Sequence, residues 1–217
     1  MLTIFLMNKR VIETVIDVFY EKYPDLEHGL THGGDPYRLL VMAILSAQCT
    51  DKRVNMVSKK LFERFPDPRS IAASKEGELE EYIYSIGLYN SKAKSLRACC
   101  KTLMEDFGGE VPSGFKELLS LGGVGRKVAN LIRGDVFDLG GIVADTHLIR
   151  ISNRLGLVDT KNPLVVEKTL SKLIPTEKQT WFCHRAVEFG RDVCRAKNPD
   201  CDGCPIKQRN ACNGIKK

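Results

Sequence analysis

Nowhere in this 217-residue chain is there an unbroken apolar run of about 18 residues, so no transmembrane helix is expected. The apolar stretch Leu2 to Met7 has no basic flank, is too short for a secretory signal and lacks a small-residue cleavage site, so the chain is expected to stay in the cytoplasm. Met7-Asn8-Lys9 reads like a translation start ahead of the first helix, which makes residues 1–6 an upstream extension or a frayed end. No stretch alternates apolar and polar residues as a half-buried strand must, and valine and isoleucine recur at helical spacing instead. Repeats of solenoid period and low-complexity linkers are also missing, so any domain boundary is a packing boundary rather than a flexible hinge.

A chain of 217 residues with 43% hydrophobic content can bury one large core or two small ones. Lys and Arg exceed Asp and Glu by 33 to 27, a bias toward polyanionic partners. Residues 191–217 carry seven bases, among them Lys216 and Lys217, against three acids, and so hold four of the six net charges.

The punctuation is that of an all-α protein. Asp35-Pro36 pairs an N-cap with a first-turn proline ahead of Leu39, Leu40, Val41, Ile44 and Leu45. Thr50-Asp51 opens a helix burying Val54, Val57, Leu61 and Phe65, and Pro66 and Pro68 stop it. A further helix runs from about Ser91 through Ala93, Leu96, Cys100, Leu103 and Phe107 to Gly108-Gly109, and another starts at Pro163 with Val166, Leu170 and Leu173.

Four of the eight cysteines, Cys194, Cys201, Cys204 and Cys212, fall near the C-terminus with six, two and seven residues between them. With no secretory signal a disulfide pair is the weaker reading, and a metal site is expected. Only Cys201 and Cys204 form a C-x-x-C, whereas structural zinc sites use two close pairs, so the spacing suits a [4Fe-4S] cube better than zinc. The loop from Arg195 to Asp200 is then expected to be templated by the cluster, with Arg195 and Lys197 facing an anionic backbone. Cys49, Cys99, Cys100 and Cys183 lie in apolar helical segments and read as small core residues.

Leu121-Gly122-Gly123-Val124-Gly125-Arg126-Lys127 is neither a P-loop, which ends Gly-Lys-Ser/Thr, nor a dinucleotide fingerprint, whose third glycine is missing. What remains is two short helices, Phe115 to Leu121 and Arg126 to Arg133, joined by a turn whose glycines can turn backbone N–H groups outward. That is a helix-hairpin-helix able to hold a phosphate without reading a base, or a bare helix connector. Lys127 past that turn is a candidate nucleophile or a phosphate contact only, and Asp145, N-cap of a helix running to Leu155, is a candidate anionic partner kept ionised by the helix dipole or a helix cap only. A lysine of ordinary pKa is neutral in only about one molecule in 2,500 at pH 7, so burial and the neighbouring Arg126 are expected to depress it. His147 reads as a positioning residue; His28, His32 and His184 have no partner spacing; Trp181 reads as core.

LGGVGRKVAN, VADTHLIRISNRLGL, LSAQCTD at 45–51, GLYNSKA at 87–93 and the four terminal cysteines together resemble the endonuclease III family of DNA glycosylases, over most of the chain. The resemblance implies a monomeric base-excision repair enzyme, active at the nucleoid on double-stranded DNA with damaged bases or abasic sites. It implies removal of oxidised pyrimidines, coupled strand cleavage and no metal in the chemical steps. It makes Lys127 the Schiff-base nucleophile and Asp145 the essential carboxylate, and has Gln48 and Leu88 fill the gap left by a flipped nucleotide. Gly123, Gly125 and Arg126 would join Arg195 and Lys197 as DNA contacts. The implied architecture is a six-helix module over 29–139, its hairpin at about 115–133, and a second lobe of 1–28 plus 140–217 holding the cluster, with a DNA cleft between. Two rival readings are a mismatch adenine glycosylase, which generally lacks the lysine, and a non-catalytic DNA-binding module with a structural metal. The chain departs from the family pattern at Gly122, usually a proline, and in the interval from Cys204 to Cys212, two residues longer than usual. The first puts turn rigidity in question and the second the cluster geometry.

Overall fold

The side chains of Asp35, Thr50, Asp67, Asp145 and Asn162 each cap a helix start in this chain. In the computed structural model, which describes residues 2–26 and 29–212 (side chains of 2–5 excepted), helix is the one regular element among the described residues. His28, Lys216 and Lys217 lie outside them. No helix of the described residues is long and apolar enough to cross a membrane. The chain divides into two units, one of Met1–Glu27 with Leu139–Lys217 and one of His28–Asp138.

The first unit opens with α1 (Leu2–Lys22), and the chain then enters the His28–Asp138 unit. Here α2 (Pro36–Ser46) is capped by Asp35, whose carboxylate accepts from the Arg38 amide at 3.1 Å, and α3 (Asp51–Arg64) by Thr50. The short α4 (Pro68–Ala72) begins in a capping box of Asp67 and Ser70, and α5 (Glu80–Ile83) is a single turn. Then come α6 (Tyr89–Asp106), α7 (Phe115–Ser120) and α8 (Arg126–Phe137). Both α6 and α8 outrun the expected bounds, starting two residues earlier and ending four later respectively. Leu39, Leu40, Val41, Met42, Ile44 and Leu45 are all buried, so α2 is apolar around its circumference and forms the centre on which α3, α6 and α8 pack. Each such side chain contributes roughly 1.5–3 kcal/mol through burial. Cys99 and Cys100 lie fully inside this core, where burial pushes the Cys99 thiol up to about 12, so they act as small hydrophobes. Cys49 is half-buried.

The chain returns to the first unit through α9 (Thr146–Arg154), α10 (Pro163–Leu173), α11 (Thr176–Asp192) and the one-turn α12 (Pro205–Gln208). Ile12, Val15 and Phe19 of α1 share a core with Val166, Leu170, Phe182 and Phe189, the Phe19 and Phe182 rings being 5.2 Å apart. Arg185 is buried among them and donates to the Tyr23 and Pro24 carbonyls, both at 2.9 Å, closing the end of α1 onto α11. Trp181 is half-buried, stacked between the Tyr20 ring at 4.1 Å and the Arg185 guanidinium at 4.3 Å.

Candidate active site

The hairpin is α7, a five-residue turn and α8. Leu121 and Val124 anchor the turn in the core, and the Val124 amide donates to the Leu121 carbonyl at 3.1 Å. Gly123 sits at φ +79° with its Cα turned on α6, where a Cβ would stand 2.9 Å from that of Ser95. Gly125 is the N-cap of α8, contributes no side-chain cap and faces open space. The first turn of α8 therefore opens outward, with Arg126 and Lys127 as its first two residues. The Arg126 guanidinium lies 4.6 Å over the Phe115 ring, bridging the two hairpin helices. Lys127 is exposed, which corrects the expected burial.

Gln48 and Leu88 share an unusual feature. Both are non-glycine residues in the left-handed region, at φ 54° and 61°, and both are exposed, Leu88 by 62%. Such conformations cost about 1–3 kcal/mol and persist where the surroundings over-determine them. The two loops adjoin, since a Cβ on Gly87 would lie 4.0 Å from the Gln48 carbonyl oxygen. Sequence reasoning missed the residue that joins them: Lys92, in the first turn of α6, is only 5% exposed. Nothing in a polar residue at a helix start announces its burial.

In the other unit Asp145 caps α9, its Oδ1 accepting from the Leu148 amide at 2.7 Å, and is half-exposed. His147 Nδ1 lies 3.2 Å from Arg150 Nη2. Burial, then the Arg150 and Arg191 charges, hold its imidazole below the usual range against an opposing pull from Asp145. His32 is buried, its Nδ1 accepting from the Gly34 amide at 3.2 Å, and His184 is half-buried.

From the same α9, Arg150 and Arg154 clamp the start of the cysteine segment. Arg150 Nε donates to the Cys194 carbonyl at 3.1 Å; Arg154 donates to the carbonyls of Arg195 at 2.7 Å and Ala196 at 3.2 Å and to Cys194 Sγ at 3.3 Å. Cys212 Sγ contacts the Arg154 carbonyl at 3.6 Å. Burial, and the nearby Cys212 and Cys194, raise the Cys204 thiol. Cys201 is half-buried. Among the described residues no three His, Cys, Asp or Glu side chains are closed to coordinating geometry. Arg195 is exposed but commits its guanidinium to the carbonyls of Asn198, at 2.9 and 3.2 Å, and Asp192, at 3.1 Å, so it builds its own loop; Lys197 is exposed.

Residues 41–176 match the HhH-GPD superfamily of base excision DNA repair proteins. Over 202 residues the chain is 40% identical to endonuclease III of Rickettsia conorii (strain ATCC VR-613 / Malish 7), covering 93% of this chain and 96% of that one. The chain belongs to the endonuclease III family. Its fold superposes with a TM-score of 0.87, at 41% identity over 94% of this chain and 95% of the other, on an endonuclease III in non-covalent complex with DNA. The same values hold for an endonuclease III trapped as a covalent intermediate with DNA, an estranged-adenine complex. Of the two departures from the family pattern, Gly122 has a local reason: a Cβ there would stand 3.0 Å from both the Ala98 Cβ and the Cys99 amide nitrogen. The turn is seated tightly against α6 at this residue.

Proposed function

We propose that this chain is a bifunctional base-excision repair enzyme that removes oxidised pyrimidines from duplex DNA and cleaves the strand by β-elimination. The observation that carries the reading is Lys127, exposed in the first turn of a helix whose N-cap brings no side chain. A phosphate held by the backbone donors of that turn sets the sugar beside Lys127. Gln48 and Leu88 enter the gap left by the extruded nucleotide, a step costing a few kcal/mol and least for a damaged pair. Asp145, anionic at its helix start, stabilises the positive charge that develops at C1′ as the base leaves with the electron pair of the glycosidic bond.

The free amine of Lys127 attacks, and its Nζ forms the new bond to C1′. The C1′–O4′ bond then opens, O4′ takes a proton, and a protonated imine links Lys127 to the sugar. That imine acidifies C2′; loss of a C2′ proton forms the C2′–C3′ double bond and expels the 3′ phosphate with its electron pair. Water hydrolyses the imine and returns the lysine. Water protonates the departing base, the proton that Nζ sheds on bonding C1′ passes to O4′, and Asp145 or water takes the C2′ proton. A mismatch adenine glycosylase needs no such lysine, and a non-catalytic module needs neither group.

Cys194, Cys201, Cys204 and Cys212 fit a [4Fe-4S] cluster by donor chemistry, since four soft thiols lie in one short segment, Cys194 and Cys212 both contact Arg154, and Cys204 lies close enough to feel the two of them. The cluster would act there as a template for the Arg195–Asp200 loop. Covalent capture tests the lyase: with borohydride and a thymine-glycol duplex the wild-type chain should be trapped on DNA, and Lys127→Ala should lower the trapped fraction at least about a hundred-fold. Base release with no capture by the wild type overturns the lysine mechanism.

A further inference from the structure

The two left-handed loops are tied together by one residue. The last carbonyls of a helix have no partner within it, and α2 ends at Ser46 with the chain turning away at Ala47. The Lys92 ammonium donates to two of these oxygens, Leu45 O at 2.8 Å and Ala47 O at 2.6 Å. Ala47 immediately precedes Gln48. The main-chain amide of Lys92 donates to the Leu88 carbonyl at 3.0 Å. One residue thus bonds by its side chain to the approach to Gln48 and by its backbone to Leu88.

A buried lysine is a poor choice for stability alone. Burial penalises the ammonium and lowers its pKa, and among the described residues it has no ion pair to offset this. A methionine of similar length would fill the same space without that penalty, at the cost of leaving the Leu45 and Ala47 oxygens without their donor. What the ammonium gives instead is direction, because a cation at the negative end of α2 fixes where the helix stops.

We propose that Lys92 is the positioning residue that sets the register of Gln48 against Leu88, so that both side chains enter the DNA gap as one element. The proposal rests on the gap-filling reading of those two residues. It makes the two left-handed conformations a single rigid device.

The test uses 2-aminopurine placed opposite a tetrahydrofuran abasic analogue, read at saturating full-length protein well below its melting temperature. Insertion of Gln48 and Leu88 should change the fluorescence in the wild type. Lys92→Met should cut that amplitude at least about three-fold and lower kcat on thymine glycol about ten-fold, with KM changed less than about two-fold because phosphate contacts dominate binding. Gln48→Ala should reduce the amplitude in the wild type and have almost no further effect in Lys92→Met, since residues acting as one unit are not additive. A merely structural role moves neither the amplitude at saturation nor this non-additivity. Full amplitude in Lys92→Met, or factors that multiply, overturn the role of Lys92 while leaving gap filling standing. No wild-type signal, or no effect of Gln48→Ala alone, sinks the gap-filling reading and this proposal with it. Where Lys92→Met does not fold, Lys92→Leu, which likewise has no donor, is held to the same outcomes.

Discussion

A Cβ on Gly122 would meet three atoms of α6 at close range: the Ala98 Cβ and Cys99 N at 3.0 Å and Ser95 O at 3.1 Å. Two of the three are backbone atoms inside a helix, which cannot rotate away. Gly122→Ala should therefore overpack the seat of the hairpin and destabilise the chain by about 1–3 kcal/mol, lowering the melting temperature by about 2–4 °C per kcal/mol in a chain of this size. Thermal unfolding followed by far-ultraviolet circular dichroism measures it, and an unchanged transition would mean that the turn gives way. Ala98→Gly, which by itself costs about 1 kcal/mol inside a helix, should cost less in the Gly122→Ala background, since it removes one contact of the three. The sequence distinguishes this glycine from the family's proline but contains no sign of what faces it. Lys92 is hidden in the same way, because residue type alone predicts exposure and only packing reveals the carbonyls it serves.

At the scale of the element, beginnings were legible where a short polar side chain bonds its own helix. Asp35, Thr50 and Asp145 all cap as their positions imply, with local bonds that depend on nothing distant. The long α11 was not legible. Its core face includes Gln179, donating to the Ile174 carbonyl at 3.1 Å, and Arg185, bonded to the end of α1, so buried polar groups interrupt the apolar stripe that marks a helix. Asp145 has two separable duties. As a cap it needs an acceptor, which asparagine also supplies; as the proposed partner of a developing cation it needs a charge. Asp145→Asn should melt close to wild type yet lose base excision by at least about a hundred-fold, whereas Asp145→Ala should lose the same activity and about 1 kcal/mol of stability besides. Equal melting of the two variants would remove the capping role, and full excision by Asp145→Asn would remove the electrostatic one.

At the scale of the whole molecule, the two units have separate cores, and the cysteine segment belongs to only one of them. Cys204 and Ile206 are buried in the core that contains Phe19, Phe182 and Phe189, while α2 and α6 are centred on another. The cysteine spacing was readable from the sequence; that Arg150 and Arg154 reach across from α9 to hold its first loop was not, because the partners lie some 40 residues apart in the chain. If the four thiols hold a [4Fe-4S] cluster, the purified chain should absorb near about 400 nm and contain about four irons. A colourless chain holding one zinc overturns the assignment. Removal of the iron should then act locally. The template for the Arg195–Asp200 loop is lost, the carbonyls that accept from Arg150 and Arg154 are released, and α9, α11 and α1 lose a wall of their shared core. Hydrogen exchange should accelerate at least about ten-fold in residues 194–208 and measurably in α9 and α11, with protection in α2 and α6 unchanged. Because the core around α2 contains no atom of the cysteine segment, equal loss of protection in both units would mean that the chain unfolds as one cooperative body, and a purely local template would no longer describe the cluster.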